Sequence, residues 1–228
     1  YDTLASANAN YDTTRLLVEP YLEFPISPSS RVAVKAGVRG SNIANVDPAS
    51  SAVLMAEAGR GWQIGGHAGL TYTFDSAISG LDDMSRFFLE IDTEVGGLGA
   101  DNQYLKATAL ARAQTRIMND EVTLRAEVEG GALYSIGGAG ARVTDRFTLG
   151  PEKVRGFRFN GTGPRDLTVA NTDALGGNYF VAARVEAQFP LGLPEEYGIS
   201  GGVFADVGSL WGLDNTLGGT IDDAFYLR

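Results

Sequence analysis

The sequence contains no cysteine, a single histidine and no hydrophobic run of the ~18 residues that a transmembrane helix requires. Without cysteine, a disulfide framework and a thiolate metal site are both excluded. A zinc site needs three or four protein ligands, and the sequence has neither a cysteine nor a second histidine to accompany His67. We therefore expect His67 to be structural. Strands that cross a membrane as a barrel need only ~10 residues of alternating polarity, and that possibility stays open.

Basic residues are also scarce: 18 lysines and arginines stand against 28 aspartates and glutamates, a formal net charge of −10. A nucleic-acid-binding surface is normally basic, so the charge argues against a nucleic-acid partner. The N-terminus has neither the charged region nor the apolar core of a signal peptide. We therefore expect either a cytosolic protein or a chain that begins inside a longer one.

Motifs that carry enzyme chemistry are missing. No Gly-x-Ser-x-Gly nucleophile motif occurs, and the stretch GGAGAR, residues 137–142, lacks the Lys-Ser/Thr ending of a phosphate-binding loop and is better interpreted as a turn. The acidic pairs Asp82-Asp83, Glu195-Glu196 and Asp222-Asp223 lie in turn-like sequence, where solvation is the ordinary state. We predict no catalytic residue, no cofactor and no metal.

Apolar and polar residues alternate along most of the chain, which predicts strands. In residues 104–116, for example, leucine and alanines at odd positions alternate with lysine, threonine, arginine and glutamine at most even positions. Eight segments have this pattern, and a ninth strand is predicted to start in residues 224–228; the eight are residues 15–24, 31–38, 61–75, 87–95, 104–116, 122–130, 179–189 and 197–211. Residues 52–58 fit a helical turn and a strand equally well.

The predicted strands are long, and their polar faces carry charges of both signs. They span about 9–15 residues, whereas strands of soluble proteins usually have about 5–6. Aromatic residues also cluster at the strand ends, as at a membrane interface. The pattern favours a transmembrane barrel with a polar interior, while a large soluble barrel or a two-sheet sandwich remains the alternative. No linker divides the sequence, so we expect residues 1–228 to form a single domain.

The longest predicted connection, Asp145–Gly177, contains an arginine flanked by apolar residues, in the stretch Val154–Phe157. Loops of this length are uncommon and usually functional or disordered. If this loop folds back into a polar interior, Arg155 needs acceptors there, and the next two strands offer Glu186 and Asp206 on their polar faces. An exposed arginine in an unanchored loop is the alternative.

Three stretches resemble the bacterial surface antigen family of outer-membrane assembly factors: Arg146–Phe157, Gly163–Leu167 and Asp173–Asp214. The resemblance is weaker through the preceding strands, including Gly97–Ala111. It implies an all-β fold, an antiparallel transmembrane β-barrel of the outer-membrane assembly factor type. Val154, Arg155, Gly156 and Phe157 match the family's VRGF motif, at the tip of a loop inserted into the lumen. Glu186 and Asp206 match the acidic residues that pair with the motif's arginine.

The same resemblance implies a protein of the bacterial outer membrane that inserts and folds β-barrel proteins through a lateral gate, without acting as an enzyme. Its implied partners are unfolded outer-membrane proteins, lipoproteins of the assembly complex and outer-membrane lipid. We expect only the middle-to-late strands of the barrel here, because the family's periplasmic domains and its first and last strands find no match. The alternative is a TamA-like assembly protein or a two-partner secretion transporter with the same loop motif.

Overall fold

The computed structural model describes residues 2–5, 11–79, 85–119, 121–136, 140–192 and 198–228. In this part of the chain, one α-helix, α1 (Ala52–Gly59), and one 3-10 turn (Ser76–Ser79) accompany the strands. The strands are β1 (Asp2–Ala5), β2 (Asp12–Val18), β3 (Tyr21–Ser27), β4 (Ser30–Ala44), β5 (Gln63–Asp75), β6 (Ser85–Leu98), β7 (Tyr104–Ile117), β8 (Val122–Ser135), β9 (Arg165–Asp166), β10 (Tyr179–Pro190), β11 (Ser200–Trp211) and β12 (Ile221–Asp222).

The main sheet is antiparallel throughout, with the order β1-β2-β4-β5-β6-β7-β8-β10-β11. β3 pairs with the first half of β4, on the same side as β2, which pairs with the second half. β9 and β12 form a separate two-stranded sheet. Among the described residues, the edge strands β1 and β11 do not pair with each other, so the sheet is open. None of the described helices is long and apolar enough to cross a membrane.

Short turns join some strands at one end of the sheet, such as that between β3 and β4, and longer connections join them at the other. We call these the turn end and the loop end. The connection from β8 to β10 is the longest, and its described part, residues 140–178, is called the long loop. The long loop packs on one face of the sheet, the inner face; the opposite face is the outer face.

Alternation along the strands gives the two faces different chemistry, as the sequence predicts. On the outer face, Leu105, Val185 and Val203 are 47%, 54% and 60% exposed. Their in-strand neighbours Lys106 and Arg184 point inward, where they bond to the long loop. An apolar face that is left uncovered suits contact with hydrocarbon rather than with water.

The first predicted strand, residues 15–24, is two strands in the structure, because the chain breaks at Glu19–Pro20. Both halves pair with β4, and the carbonyl of Pro20 still accepts a bond of 3.3 Å from the N–H of Ala36. Gly37 of β4 makes room for the break, since a β-carbon there would lie 2.1 Å from the carbonyl oxygen of Val18. Proline has no N–H to donate to a neighbouring strand, which explains the interruption.

Two further segments settle or correct predictions. Residues 52–58, which fitted either a helix or a strand, lie in helix α1, where Ser51 caps the N-terminus by accepting from the N–H of Val53 at 3.3 Å. Residues 224–228 form no strand, so the prediction that a ninth strand starts there was wrong. The backbones of Gly208 and Arg228 nevertheless exchange two hydrogen bonds of 2.8 and 2.9 Å, and the N–H of Tyr226 donates to the hydroxyl of Ser209 at 3.2 Å.

The apolar core lies between the long loop and the loop-end half of the inner face. One cluster joins the strands to the first half of the loop, and its larger members are Tyr104, Leu133, Phe147, Leu149, Val154, Phe180 and Leu210. A second cluster joins α1 and β4 to the loop through Ile43, Val53, Leu54, Val143 and Leu175. The long loop therefore supplies much of the material that fills the concave side of the sheet.

Replacing Leu133 by alanine tests this placement of the core. Leu133 is fully buried beneath the long loop, so Leu133→Ala should lower the free energy of unfolding by about 3 kcal/mol. The measurement is a urea titration of the intact protein in detergent micelles, in which the folded fraction is monitored by the gel migration of the folded band. Leu105→Ala, on the outer face of the neighbouring strand, is the matched control and should cost about 1 kcal/mol or less. Equal losses in the two variants would contradict the assigned faces.

Candidate functional site

The VRGF motif lies in a tight turn of the long loop. The N–H groups of Lys153 and Val154 both donate to the carbonyl of Gly150, at 3.0 and 3.1 Å. Val154 is buried in the first apolar cluster and rests against Gly208 of β11, where a β-carbon would lie 2.6 Å from its Cγ2 atom. The absence of a side chain on Gly208 lets the loop approach the strand closely.

Arg155 binds two carboxylates on the inner face. Its Nε and Nη2 atoms donate to the two oxygens of Asp206 at 2.6 and 2.7 Å, and Nη1 donates to Glu186 at 2.9 Å. The backbone N–H of Arg155 adds a fourth bond, 3.0 Å, to Asp206. The guanidinium also stacks over the ring of Phe204, 3.7 Å from its centre. This two-pronged contact between guanidinium and carboxylate fixes both the position and the orientation of the loop tip.

The hydrogen bonds that Arg155 donates to Asp206, and then to Glu186, hold the pKa of Arg155 above its ordinary value, so the guanidinium carries its charge at any physiological pH. The side chain of Asp206 is only 3% exposed beneath it. A carboxylate buried in this way depends on its partner, because an uncompensated buried charge is strongly destabilising. The loop tip and the strand thus need each other.

The other two motif residues serve the backbone and the core. Gly156 has φ +89°, a conformation that glycine adopts readily and other residues rarely do, although no neighbouring atom would obstruct a side chain there. Phe157 is partly buried and packs against the first apolar cluster. The turn after Arg155 is therefore set by backbone conformation, and apolar anchors lie on both sides of the arginine.

Asp206 belongs to a row of alternating charges that crosses four strands. Arg112, Glu127, Arg184 and Asp206 are direct cross-strand partners on β7, β8, β10 and β11. Glu127 accepts hydrogen bonds from both Arg112 and Arg184, and Arg184 also donates to the carbonyl of Glu152 in the long loop. We call these four residues the charge row. Opposite charges placed directly across strands stabilise that register over its alternatives.

A second row lies one pair nearer the turn end and supports Glu186. Arg125 of β8 donates to Glu186 at 3.2 Å and to Gln188 at 3.0 Å, so Glu186 is shared between Arg125 and Arg155. On the loop-end side, Lys153 donates to Glu129 of β8. Two cations of the loop tip, Lys153 and Arg155, on either side of Val154, therefore form ion pairs with the sheet.

A second anchor, which the sequence analysis missed, joins the long loop to helix α1. Arg142 is 1% exposed and donates to Glu57 of α1 at 2.8 Å, and to the carbonyl and hydroxyl oxygens of Ser41 at 3.0 and 2.9 Å. The glycine-rich stretch before Arg142 reads as a simple turn. Glu57 lies within an otherwise apolar segment, and that isolated charge is the signal that could have indicated a buried partner.

The cap of α1 is bound to the loop as well. Ser51 donates its hydroxyl to Asp166 at 2.6 Å and its N–H to Asp173 at 2.8 Å. Burial alone would raise the pKa of Asp166, but its bonds from Ser51 and Thr168 outweigh burial and hold the pKa below its ordinary value. Two carboxylates of the loop thus fix the start of the helix.

Asp214, just beyond β11, binds the beginning of the long loop and the end of β8. It accepts hydrogen bonds from the hydroxyl of Ser135, from the N–H of Ala141 at 2.8 Å and from Arg146 at 3.2 Å. Burial would raise its pKa, but these donors outweigh burial and hold the pKa below its ordinary value. The ionised form of Asp214 therefore stabilises the folded loop.

His67 lies 3% exposed on the inner face beside two carboxylates. Its Nε2 atom is 2.6 Å from Glu19, at the break between β2 and β3. Glu19, His67 and Glu94 offer ligand atoms within 4.8 Å of one another, a spacing that a metal ion could use. Both oxygens of Glu94, however, already accept from Arg39 at 2.7 and 3.0 Å, and one accepts from Tyr104 at 2.9 Å. The group is a hydrogen-bond network that fixes the interrupted strand.

Comparison with known proteins identifies the family. Residues 3–225 match the Omp85 superfamily domain. The chain belongs to the Omp85 superfamily. It is 36% identical over 120 residues to the outer membrane protein assembly factor BamA of Neorickettsia risticii, a match that covers 53% of this chain and 16% of that protein. The chain thus spans only a small part of this relative's length.

A solved structure has the same fold. The crystal structure of BamA from Haemophilus ducreyi lacking POTRA domains 1–3 superposes with a TM-score of 0.70 at 15% identity, over 89% of this chain and 42% of that one. The predicted fold class is therefore confirmed: an all-β, antiparallel barrel sheet that is incomplete in this chain. This Omp85 sheet lies in the bacterial outer membrane, with its apolar outer face towards lipid and its charged inner face towards the lumen.

The depressed pKa of Asp214 predicts how the anchored loop responds to acid. A carboxylate with a lowered pKa contributes stability above its ordinary pKa, and that stability is lost as the pH falls through the lowered value. Amide hydrogen exchange in residues 140–147, corrected for intrinsic rates, should be constant from neutral pH down to about pH 4 and should accelerate below it. Mass spectrometry of the intact protein measures this.

Asp214→Asn should accelerate the exchange already at neutral pH and flatten the profile. Asp101→Asn, an exposed aspartate also at the loop end, is the matched control and should behave as the unmodified protein. An acceleration that begins near pH 6, or a profile unchanged by Asp214→Asn, would refute the role given to this carboxylate.

Proposed function

We propose that this chain forms the middle-to-late strands, within residues 1–228 as one domain, of an Omp85 barrel that inserts and folds β-barrel proteins into the bacterial outer membrane. The relative that is 36% identical is named an outer membrane protein assembly factor. That name and the superfamily match support the general role. The observation that carries the proposal for this chain is the binding of Arg155 by Glu186 and Asp206.

In this proposal the VRGF motif keeps the long loop inside the lumen while the barrel wall changes shape. Val154 and Phe157 anchor the tip in the apolar cluster, Gly156 permits the turn, and Arg155 ties the tip to β10 and β11. A loop bound at several points restrains neighbouring strands against sliding past one another. The part of the barrel described here is then a rigid support for a gate formed elsewhere.

The gate is a seam at which the first and last strands of the full barrel pair imperfectly. An unpaired strand edge is a template for another strand, so the edge of a client protein can add to it by backbone hydrogen bonding. The strands then enter the membrane with their polar backbone groups already paired, which hydrocarbon requires. The step involves no catalytic side chain and no cofactor.

Unfolded outer-membrane proteins are the clients in this account, and lipoproteins of the assembly complex and outer-membrane lipid are the remaining partners. A nucleic-acid partner does not fit the excess of acidic residues, since the formal net charge of the chain is −10.

A charge exchange between the loop and β11 tests the proposal in the full-length protein. Arg155→Glu puts a third carboxylate beside Glu186 and Asp206, and the repulsion should release the loop tip. We expect the amount of correctly folded outer-membrane protein in cells to fall by roughly tenfold, because the bidentate pair is lost and like charges replace it. Adding Asp206→Arg should restore part of it, because the pair is re-formed with its charges reversed.

Arg158→Glu is the control, since Arg158 lies three residues further along the same loop and is exposed. It should leave assembly unchanged. Normal assembly by Arg155→Glu would overturn the anchoring role. A loss of polypeptide export with intact assembly of outer-membrane proteins would instead indicate a secretion transporter with the same loop motif.

A further inference from the structure

The inner face holds a cavity of about 540 Å³ between the tip of the long loop and the turn-end half of the sheet. Its walls come from β6, β7, β8 and β10, and the loop contributes Pro151, Glu152 and Arg155. A volume of this size is typical of sites for molecules much larger than a single small ion.

The arginines that line this cavity include Arg86 on β6, Arg112 on β7 and Arg125 on β8. Arg86 and Arg125 are both direct cross-strand partners of Gln114, and Arg112 is two residues from Gln114 on the same strand. Arg112 is therefore the diagonal neighbour of the other two, at the ~7–8 Å spacing of such pairs. We call these three residues the arginine triad.

The carboxylates around the cavity are already engaged. Glu127 is shared by Arg112 and Arg184, and Glu186 is shared by Arg125 and Arg155. Asp75 accepts from the N–H of Ala77 at 2.9 Å. The carboxylate of Glu152 folds back over Gly150 in its own loop, where a β-carbon on that glycine would lie 2.3 Å from it.

Donors of the arginine triad are left over. The side chain of Arg86 is exposed and forms no hydrogen bond or ion pair with the described residues of the chain. Arg112 is 54% exposed in its side chain and, among the same residues, bonds through its Nε atom alone. The outer ends of two guanidinium groups therefore face the cavity with no partner in the described structure, each able to bind a carboxylate through two parallel bonds.

An aromatic ring lies beside these donors. Arg112 lies over the ring of Phe88, 5.7 Å from its centre, and Phe88 also lines the cavity. Guanidinium groups beside an aromatic ring suit a ligand that alternates carboxylates with apolar groups. A phosphate ion would use the arginines but not the ring, and it would leave most of the cavity empty.

We propose that the arginine triad and the cavity around it bind an acidic stretch of extended polypeptide, through carboxylates of the peptide on Arg86 and Arg112. The inner face thereby offers a client segment a temporary site beside the anchored loop. This inference rests on the proposed function in one respect, the identification of the bound peptide as a segment of a client protein. Peptide binding to purified protein and assembly in cells are separate measurements, so either can fail while the other holds.

The test uses the full-length protein in detergent micelles and a fluorescein-labelled nonapeptide of alternating glutamate and phenylalanine. Fluorescence anisotropy should show saturable binding that weakens as sodium chloride rises from about 0.05 M to about 0.5 M. Arg86→Gln and Arg112→Gln together should weaken binding by roughly tenfold or more, since each removes a charge-assisted hydrogen-bond donor. A nonapeptide with glutamine in place of glutamate should bind as weakly to the unmodified protein.

Arg31→Gln is the matched control, because Arg31 forms an exposed ion pair with Glu23 on β3 and does not line the cavity. It should leave the affinity unchanged. Heat-dependent gel migration checks that every barrel is folded. If the glutamine variants fail that check, Arg112→Lys replaces them, because it keeps the positive charge. The Arg112→Lys protein should retain most of the binding to the peptide.

Equal affinity of the glutamine variants and the unmodified protein would overturn the proposal, as would equal affinity for the two peptides. Complete displacement of the peptide by phosphatidylglycerol added to the micelles, at about a tenfold lower concentration than that of the peptide, would also overturn it, because the triad would then be a lipid-headgroup site.

Discussion

The pairing of Arg155 with Asp206 is the contact on which the arrangement of this sheet and its loop depends. Asp206 is the last member of a row of alternating charges that runs across β7, β8, β10 and β11, and the loop adds a further cation to that row. The row exists only in one register, since a slip of one residue would turn every charged side chain to the lipid. Strand pairing and loop position are therefore specified by the same set of ion pairs.

A buried charge is costly unless an opposite charge is paired with it. In this structure, single carboxylates meet that condition by pairing with more than one arginine. Glu127 and Glu186 each accept from two arginines, and Asp206 accepts three bonds from one. Apolar packing supplies the rest of the stability, because the loop covers the inner face nearest the loop end with two apolar clusters. The loop is thus part of the core of the molecule. Its contacts with α1 and Asp214 hold it at the loop end of the sheet, away from the VRGF motif.

Alternation was a reliable guide to strands and faces because lipid and lumen demand opposite chemistry from neighbouring residues. The inward positions of Glu186 and Asp206 follow from that alternation alone. The break at Glu19–Pro20 was missed because the alternation of apolar residues continues through it. Pro20 did indicate an interruption, since proline is disfavoured inside a strand. The pairing of Arg142 with Glu57 joins segments 85 residues apart, and no local pattern specifies a contact of that range.

Cross-linking between the loop tip and β11 tests the central claim, that the VRGF turn rests on this strand. The chain has no cysteine of its own, and the β-carbons of Val154→Cys and Gly208→Cys would lie within about 4 Å, the spacing of a disulfide. The account predicts spontaneous cross-linking of most full-length molecules in the membrane, and little with Val154→Cys paired to Gly202→Cys further down β11. Equal cross-linking of both pairs, or none at Gly208→Cys, would contradict it.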